Sequence, residues 1–133
     1  MNITEIIKSR YSCRTFIQKS LKPADKETIE SFIVQNSKGL GDETINFKII
    51  EKNDSDKQLK LNYGMIQGHN TYVLGTSKSS TDSRVNYGYL LEKVVLKATE
   101  MGISTCWIGY FDYSYFNEIS IEDGSEIPGI IID

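Results

Sequence analysis

Between Ser83 and Met101 apolar side chains return every three or four residues, at Tyr87, Leu90, Leu91, Val94, Val95, Ala98 and Met101. That spacing follows the α-helical turn and predicts an amphipathic helix, with Gly102 as its C′ stop. Two shorter stretches show the same period. Ile3, Ile6 and Ile7 share one face behind Asn2, and Glu5 stands where a capping box needs it. Pro23 suits the first turn of a second helix with Ile29, Phe32 and Ile33 as its apolar stripe, which Gly39 and Gly41 are expected to end. The polar stretch from Asn53 to Lys60 reads as a turn plus a short helix, and a further short helix is expected near Asp112 to Ile119.

Elsewhere the period drops to two. Ile45 to Ile50 alternates cleanly and reads as a strand, and Thr71 to Thr76 as a second. The segment ISTCWIG, from Ile103, is apolar on both faces and is expected to be a central strand. Ile127 to Ile132 gives a fourth strand, and RYSCRTF, from Arg10 to Phe16, reads as extended. Helices and strands interleave, so the class is α+β or α/β with a mixed sheet. The last strand is strongly apolar and stands at the end of the chain. Its edge is therefore expected to be covered by a partner chain, or by a part of a larger ancestral domain that is absent here.

Length and composition narrow the picture only a little. At 133 residues the chain fits one domain spanning 1–133, large enough to bury a core without staples. A net charge of −3 gives no electrostatic case for nucleic acid or an anionic membrane. No apolar run approaches the roughly 20 residues that a bilayer span needs. The N-terminus lacks a basic region followed by an apolar stretch, so no signal peptide is expected and the location expected is cytoplasmic. Cys13 and Cys106 lie far apart in sequence, outside any CxxC or metal pattern, and read as two free thiols in a reducing compartment. His69 is the single histidine, so a metal site has no support.

Three segments offer chemistry. Arg10, Ser12 and Arg14 fall at i, i+2 and i+4 of an extended segment, where two guanidiniums and a hydroxyl share one side and match phosphate oxygens. A solvated basic edge is the competing reading. GISTCWIGYFD, Gly102 to Asp112, runs an apolar strand into Gly109, where a planar ligand can approach the backbone; an ordinary core strand around Trp107 is the alternative. YGMIQG (Tyr63 to Gly68) and YGYLLEK (Tyr87 to Lys93) set tyrosines beside glycines, which suits a pocket wall and equally a tight turn or a packed helix. None of the three contains a nucleophile–base pair or paired acids, so hydrolase chemistry has no constellation.

Taken in order, these segments resemble a family. IIKSRYSCRTF is similar to the nitroreductase opening, a helix followed by R-R-S-x-R-x-F, with tyrosine in place of the second arginine. GISTCWIGYFD is similar to the later G-L-G-T-C-W-I-G strand, and YGMIQG, YGYLLEKVVLKATEMGISTCWIG and IPGIII together resemble one nitroreductase subgroup over Ile3 to about Ile131. The resemblance implies an α+β fold, a nitroreductase-like mixed sheet flanked by helices and abbreviated at the C-terminus. It implies FMN as cofactor and a homodimer with flavin at the subunit interface. Arg10, Tyr11, Ser12 and Arg14 would then lie at the phosphate and ribityl end, and Trp107 and Ile108 along the ring. Gly109 and Tyr110 would offer a backbone N–H to flavin N5. The implied reaction is ping-pong, with NAD(P)H reducing FMN and a nitroaromatic or quinone-type acceptor reoxidising it. The chemistry then resides on the cofactor, which accounts for the missing acid–base residues.

The chain departs from the family pattern in two places. Subgroup members often carry a second glycine where Tyr110 stands, so the phenol would crowd or cover the ring. Family members also continue past the point where this chain ends, with basic residues for the phosphate and a segment that wraps the partner subunit. The second function class is accordingly a non-catalytic relative that binds flavin or another phosphorylated ligand. Cys13 lies between Arg10 and Arg14, which would favour its thiolate, but the matching family position is usually a small apolar residue packed inward.

Overall fold

The structure, a computed structural model, describes residues 2–16, 21–51, 71–108 and 129–132, the last four as backbone only. Helix α1, Ile3–Ser9, begins at the expected capping box. The Asn2 side chain accepts from the Glu5 N–H at 2.9 Å, and the Glu5 carboxylate accepts from the Asn2 N–H at 3.2 Å. Helix α2, Pro23–Gln35, has proline in its first turn and buries Ile29 and Ile33. It stops at Asn36, before either glycine expected to end it, because the Asn36 side chain turns back and donates to the Phe32 carbonyl at 2.9 Å. Gly39 serves a different end: a Cβ there would stand 2.8 Å from Asn86 Oδ1, so only glycine lets this loop lie on the following helix.

That helix, α3, spans Thr81–Glu100 and starts at a Ser80 cap. Tyr87, Leu90, Leu91, Val94, Val95 and Ala98, six of the seven residues of the periodic stripe, are all but fully buried. Gly102, at φ 79°, ends it in a Schellman arrangement: its N–H reaches the Thr99 carbonyl, and Ile103 N–H reaches Ala98 at 2.8 Å. Polar groups on the same helix hold the chain that follows α2. Asn86 accepts from Leu40 N–H and donates to the Glu43 carbonyl, while the Ser83 hydroxyl donates to the Glu43 carboxylate at 2.7 Å.

Four strands, β1 (Lys48–Glu51), β2 (Thr71–Leu74), β3 (Thr105–Ile108) and β4 (Gly129–Ile132), pair antiparallel in the order β1-β2-β4-β3. With helices packed against them they make an α+β fold. Residues 45–47 alternate as predicted but precede the ladder; Ile45 N–H instead reaches the Ser37 carbonyl. The second strand ends at Leu74, where the Gly75 N–H donates to the Tyr87 hydroxyl at 3.1 Å and that hydroxyl donates to the Gly75 carbonyl at 3.3 Å.

One expectation about strand position is corrected. β4 is not an edge in need of a partner: it lies between β2 and β3, both already laid down when the chain reaches it. β3, expected to be central, has β4 on one side and ends the four-strand ladder among the described residues, yet it is not left open. Its outer edge is covered instead by the extended segment after α1, through a parallel bridge of Ser12 to Thr105 and a 2.9 Å bond from Cys13 N–H to the Thr105 carbonyl. That strap gives the sheet its parallel contact. The expected helices at 53–60 and 112–119, and the segment 63–68, lie outside the described residues.

Register sorts the sheet into two faces. Ile49, Val73 and Trp107 share the face packed on α3 and α2. Ile50, Tyr72, Leu74, Cys106 and Ile108 are buried on the other face, outside the helix-packed cluster.

Candidate functional site

The capping geometry that ends α1 also delivers the first candidate residue. Arg10 is the C-cap: its N–H reaches the Ile6 carbonyl and its backbone turns extended, at φ −69° and ψ 134°. From there the chain runs along β3 as the strap, so Arg10 stands over the junction where α3 gives way to β3. The Arg10 side chain is half-buried, yet Nε and Nη2 are fully shielded and have no hydrogen-bond partner among the described residues. A guanidinium so placed is costly, because a buried donor on a charged group loses its water and gains nothing in return. The carbonyl ends of α1 and α3 converge here and offset part of the charge, but neither gives Nε or Nη2 a bond.

Beside it lies a cavity of about 280 Å³, lined by Ser9, Arg10, Tyr11, Gly102, Ser104 and Thr105, among others. Thr105 Oγ1 is a second buried polar atom without a partner. The Ser12–Thr105 bridge puts those two side chains on one face of the sheet, two residues along the strap from Arg10. Tyr11 is exposed, with its hydroxyl 3.4 Å from Ser104 Oγ across the mouth. Unmet donors on Arg10 and Thr105, with Ser12 nearby, are the arrangement an oxyanion satisfies. The volume suits one end of a ligand rather than a whole drug-sized molecule.

The other candidates are placed differently. Arg14 is exposed, farther along the strap. Its field and that of Arg10 both reach Cys106 and oppose the effect of burial, which nonetheless leaves that thiol's pKa raised. Trp107 and Ile108, neighbours in a strand, point to opposite faces. Trp107 turns toward α3, where Nε1 donates to the Glu92 carboxylate at 2.8 Å, and Ile108 is buried on the other face. Gly109 and Tyr110 lie outside the described residues. The structure thus gathers Arg10, Tyr11 and Ser12 beside β3, where Thr105 and Trp107, two residues apart, share the helix side of the sheet and Cys106 and Ile108 the other. Ser104 and Thr105 lie within GISTCWIGYFD and Glu92 within YGYLLEK, but spacing alone singles out none of their roles. Only Thr105 carried a signal, as a polar residue inside an otherwise apolar strand.

Comparison with known proteins fixes the family. The model of a family described as "Putative TM nitroreductase" matches residues 2–132. The chain belongs to this nitroreductase family. Solved structures agree in fold. A nitroreductase with bound FMN from Desulfitobacterium hafniense DCB-2 aligns over 99% of this chain and 88% of its own, at TM-score 0.78 and 16% identity. A nitroreductase family protein from Clostridium difficile 630 aligns over 99% and 83%, at TM-score 0.74 and 21% identity. The nitroreductase-family chain also matches a Thermotoga maritima MSB8 protein described as "a putative nitroreductase" at 24% identity and TM-score 0.63, covering 99% of itself but 47% of that longer protein. No curated protein matches it. Among the described residues no group of His, Cys, Asp and Glu could hold a metal, and no helix is long and apolar enough to cross a membrane.

Proposed function

We propose that this chain binds FMN and uses NAD(P)H to reduce small nitroaromatic or quinone-type acceptors. One observation carries the reading: Arg10 keeps two shielded N–H donors unmet beside a cavity at the strap–β3 junction, in a family whose solved members include FMN-bound proteins. A phosphate would satisfy Nε and Nη2 together. Thr105 and Ser12 would add neutral donors, and Arg14 would contribute its field from the exposed side. The backbone N–H groups of Gly109 and Tyr110 and the side chain of Ile108 are assigned to the ring by the resemblance. Trp107, which the resemblance also assigns to the ring, has its indole N–H held by Glu92.

When bound, FMN supplies hydride and electron transfer. The protein's part is to hold the phosphate, orient the ring and keep water from it. Ile108 and Cys106 supply apolar, buried surface on the face opposite α3. A homodimer follows from the resemblance. It is supported by Ile3 and Ile7, exposed on one face of α1 at 58% and 56%, close in sequence to the exposed Tyr11. A single domain and a cytoplasmic location complete the proposal.

The test is a flavin titration followed by reduction. FMN added to purified protein should be retained through gel filtration, and NAD(P)H should then bleach it, with an added quinone restoring the colour. Retention without bleaching would point to the non-catalytic flavin-binding alternative. Failure to retain FMN would reject the proposal.

A further inference from the structure

We propose that Cys13 and Cys106 form a dithiol pair that peroxide closes into a disulfide, tying the arginine-bearing strap to β3. The two cysteines are 93 positions apart, and the sequence gives no sign that they meet. The bridge of Ser12 to Thr105 is a single parallel one, and the residues that follow it on the two segments, Cys13 and Cys106, are brought side by side. The bond from Cys13 N–H to the Thr105 carbonyl holds the segments together there at 2.9 Å. Neighbouring strands stand about 4.8 Å apart. That lies inside the roughly 4.4–6.8 Å between Cα atoms that a disulfide spans. Ser12 and Thr105 share one face, so the following pair shares the other. Proximity has independent support, since the charge of a Cys13 thiolate is felt at Cys106. Both thiols are free, and each donates only to a nearby carbonyl, Cys13 to Thr15 at 3.2 Å and Cys106 to Trp107 at 3.4 Å.

Exposure divides the roles. Cys13 is half-buried and meets solvent, whereas Cys106 is buried and burial holds its thiol in the neutral form. Peroxide therefore oxidises Cys13: its thiolate sulfur bonds to one peroxide oxygen, the O–O bond breaks, and hydroxide leaves, giving a sulfenic acid. The Cys106 sulfur, losing its proton to water, then bonds to the Cys13 sulfur and the sulfenic oxygen departs as a second hydroxide. In sum, two thiols lose two electrons and two protons, and hydrogen peroxide is reduced to two molecules of water. Side chains of parallel neighbours hold their Cβ atoms farther apart than an unstrained disulfide prefers, so the bond should be readily reduced. The closed form would fix the strap that carries Arg10, Ser12 and Arg14, and would do so whether or not the site holds a flavin.

Peptide mapping of the full-length protein after treatment with hydrogen peroxide tests this without any measure of activity. The expected result is loss of both free thiols and a peptide pair joined between Cys13 and Cys106 within one chain, reversed by dithiothreitol. In Cys106→Ser, Cys13 should stop at the sulfenic acid, trapped by dimedone, or go on to the sulfinic acid. In Cys13→Ser, Cys106 should remain reduced under the same treatment. Oxidation of wild-type Cys13 to sulfinic acid with Cys106 still free, a link between two chains, or rapid oxidation of Cys106 in Cys13→Ser would each overturn the proposal.

Discussion

The helix face of the sheet and the strap on its far edge are built on opposite terms. Under α3, every large side chain is matched: Leu90, Leu91, Val94 and Val95 pack against Val73 and Ile33, and Tyr87 meets Phe47 edge-on at 5.0 Å while its hydroxyl satisfies Gly75. Along the strap, polar atoms are buried and left unmatched, on Arg10 and on Thr105. Core packing explains the first region completely. The second leaves donors on Arg10 and Thr105 without a partner among the described residues, which is where a ligand would bind. The contrast teaches where to look for function in a chain with no catalytic constellation: in the polar atoms that the fold shields and does not satisfy.

The largest effect should come from breaking the well-matched side. Leu91→Ala removes a fully buried side chain and should cost about 2–5 kcal/mol of stability in denaturant unfolding. FMN affinity under native conditions should barely change. A large loss of affinity with little loss of stability would mean that α3 belongs to the site.

Removing the unmatched charge should have the opposite sign. Arg10→Met keeps much of the stem and deletes the shielded guanidinium, so the unliganded protein should gain about 1–3 kcal/mol. A loss of stability of that size in denaturant unfolding, without ligand, would show that Arg10 has a structural partner after all.

Two smaller changes sharpen the same line. Tyr87→Phe deletes one hydroxyl that serves both backbone groups of Gly75, at a cost of about 1–3 kcal/mol, since those groups stay buried. Glu92→Gln weakens the bond to Trp107 from charge-assisted to neutral and should cost about 1 kcal/mol or less. It should shift the emission of the single tryptophan, and an unshifted spectrum would argue against that contact.

The well-matched side was legible in the sequence and the strap was legible only in part. The α3 stripe, the Asn2–Glu5 capping box, Pro23 and the Gly102 stop are local signals, and the chain obeys them. Strand order is not local: nothing in Gly129–Ile132 says that it enters between β2 and β3. The end of α2 misled because Asn36 supplied a cap that competes with glycine. Arg10, Ser12 and Arg14 were visible as a motif. Their different burial, the partnership of Ser12 with Thr105 and the meeting of Cys13 with Cys106 all follow from the strap lying on β3, a contact across more than ninety residues.

The central claim is that Arg10 is kept unsatisfied for a phosphate, and FMN affinity by isothermal titration tests it most directly. Arg10→Ala should weaken binding by about 1.5–3 kcal/mol, or roughly 10- to 150-fold, while the more exposed Arg14→Ala loses less. Equal affinity in wild type and Arg10→Ala, with both variants folded, would contradict the account.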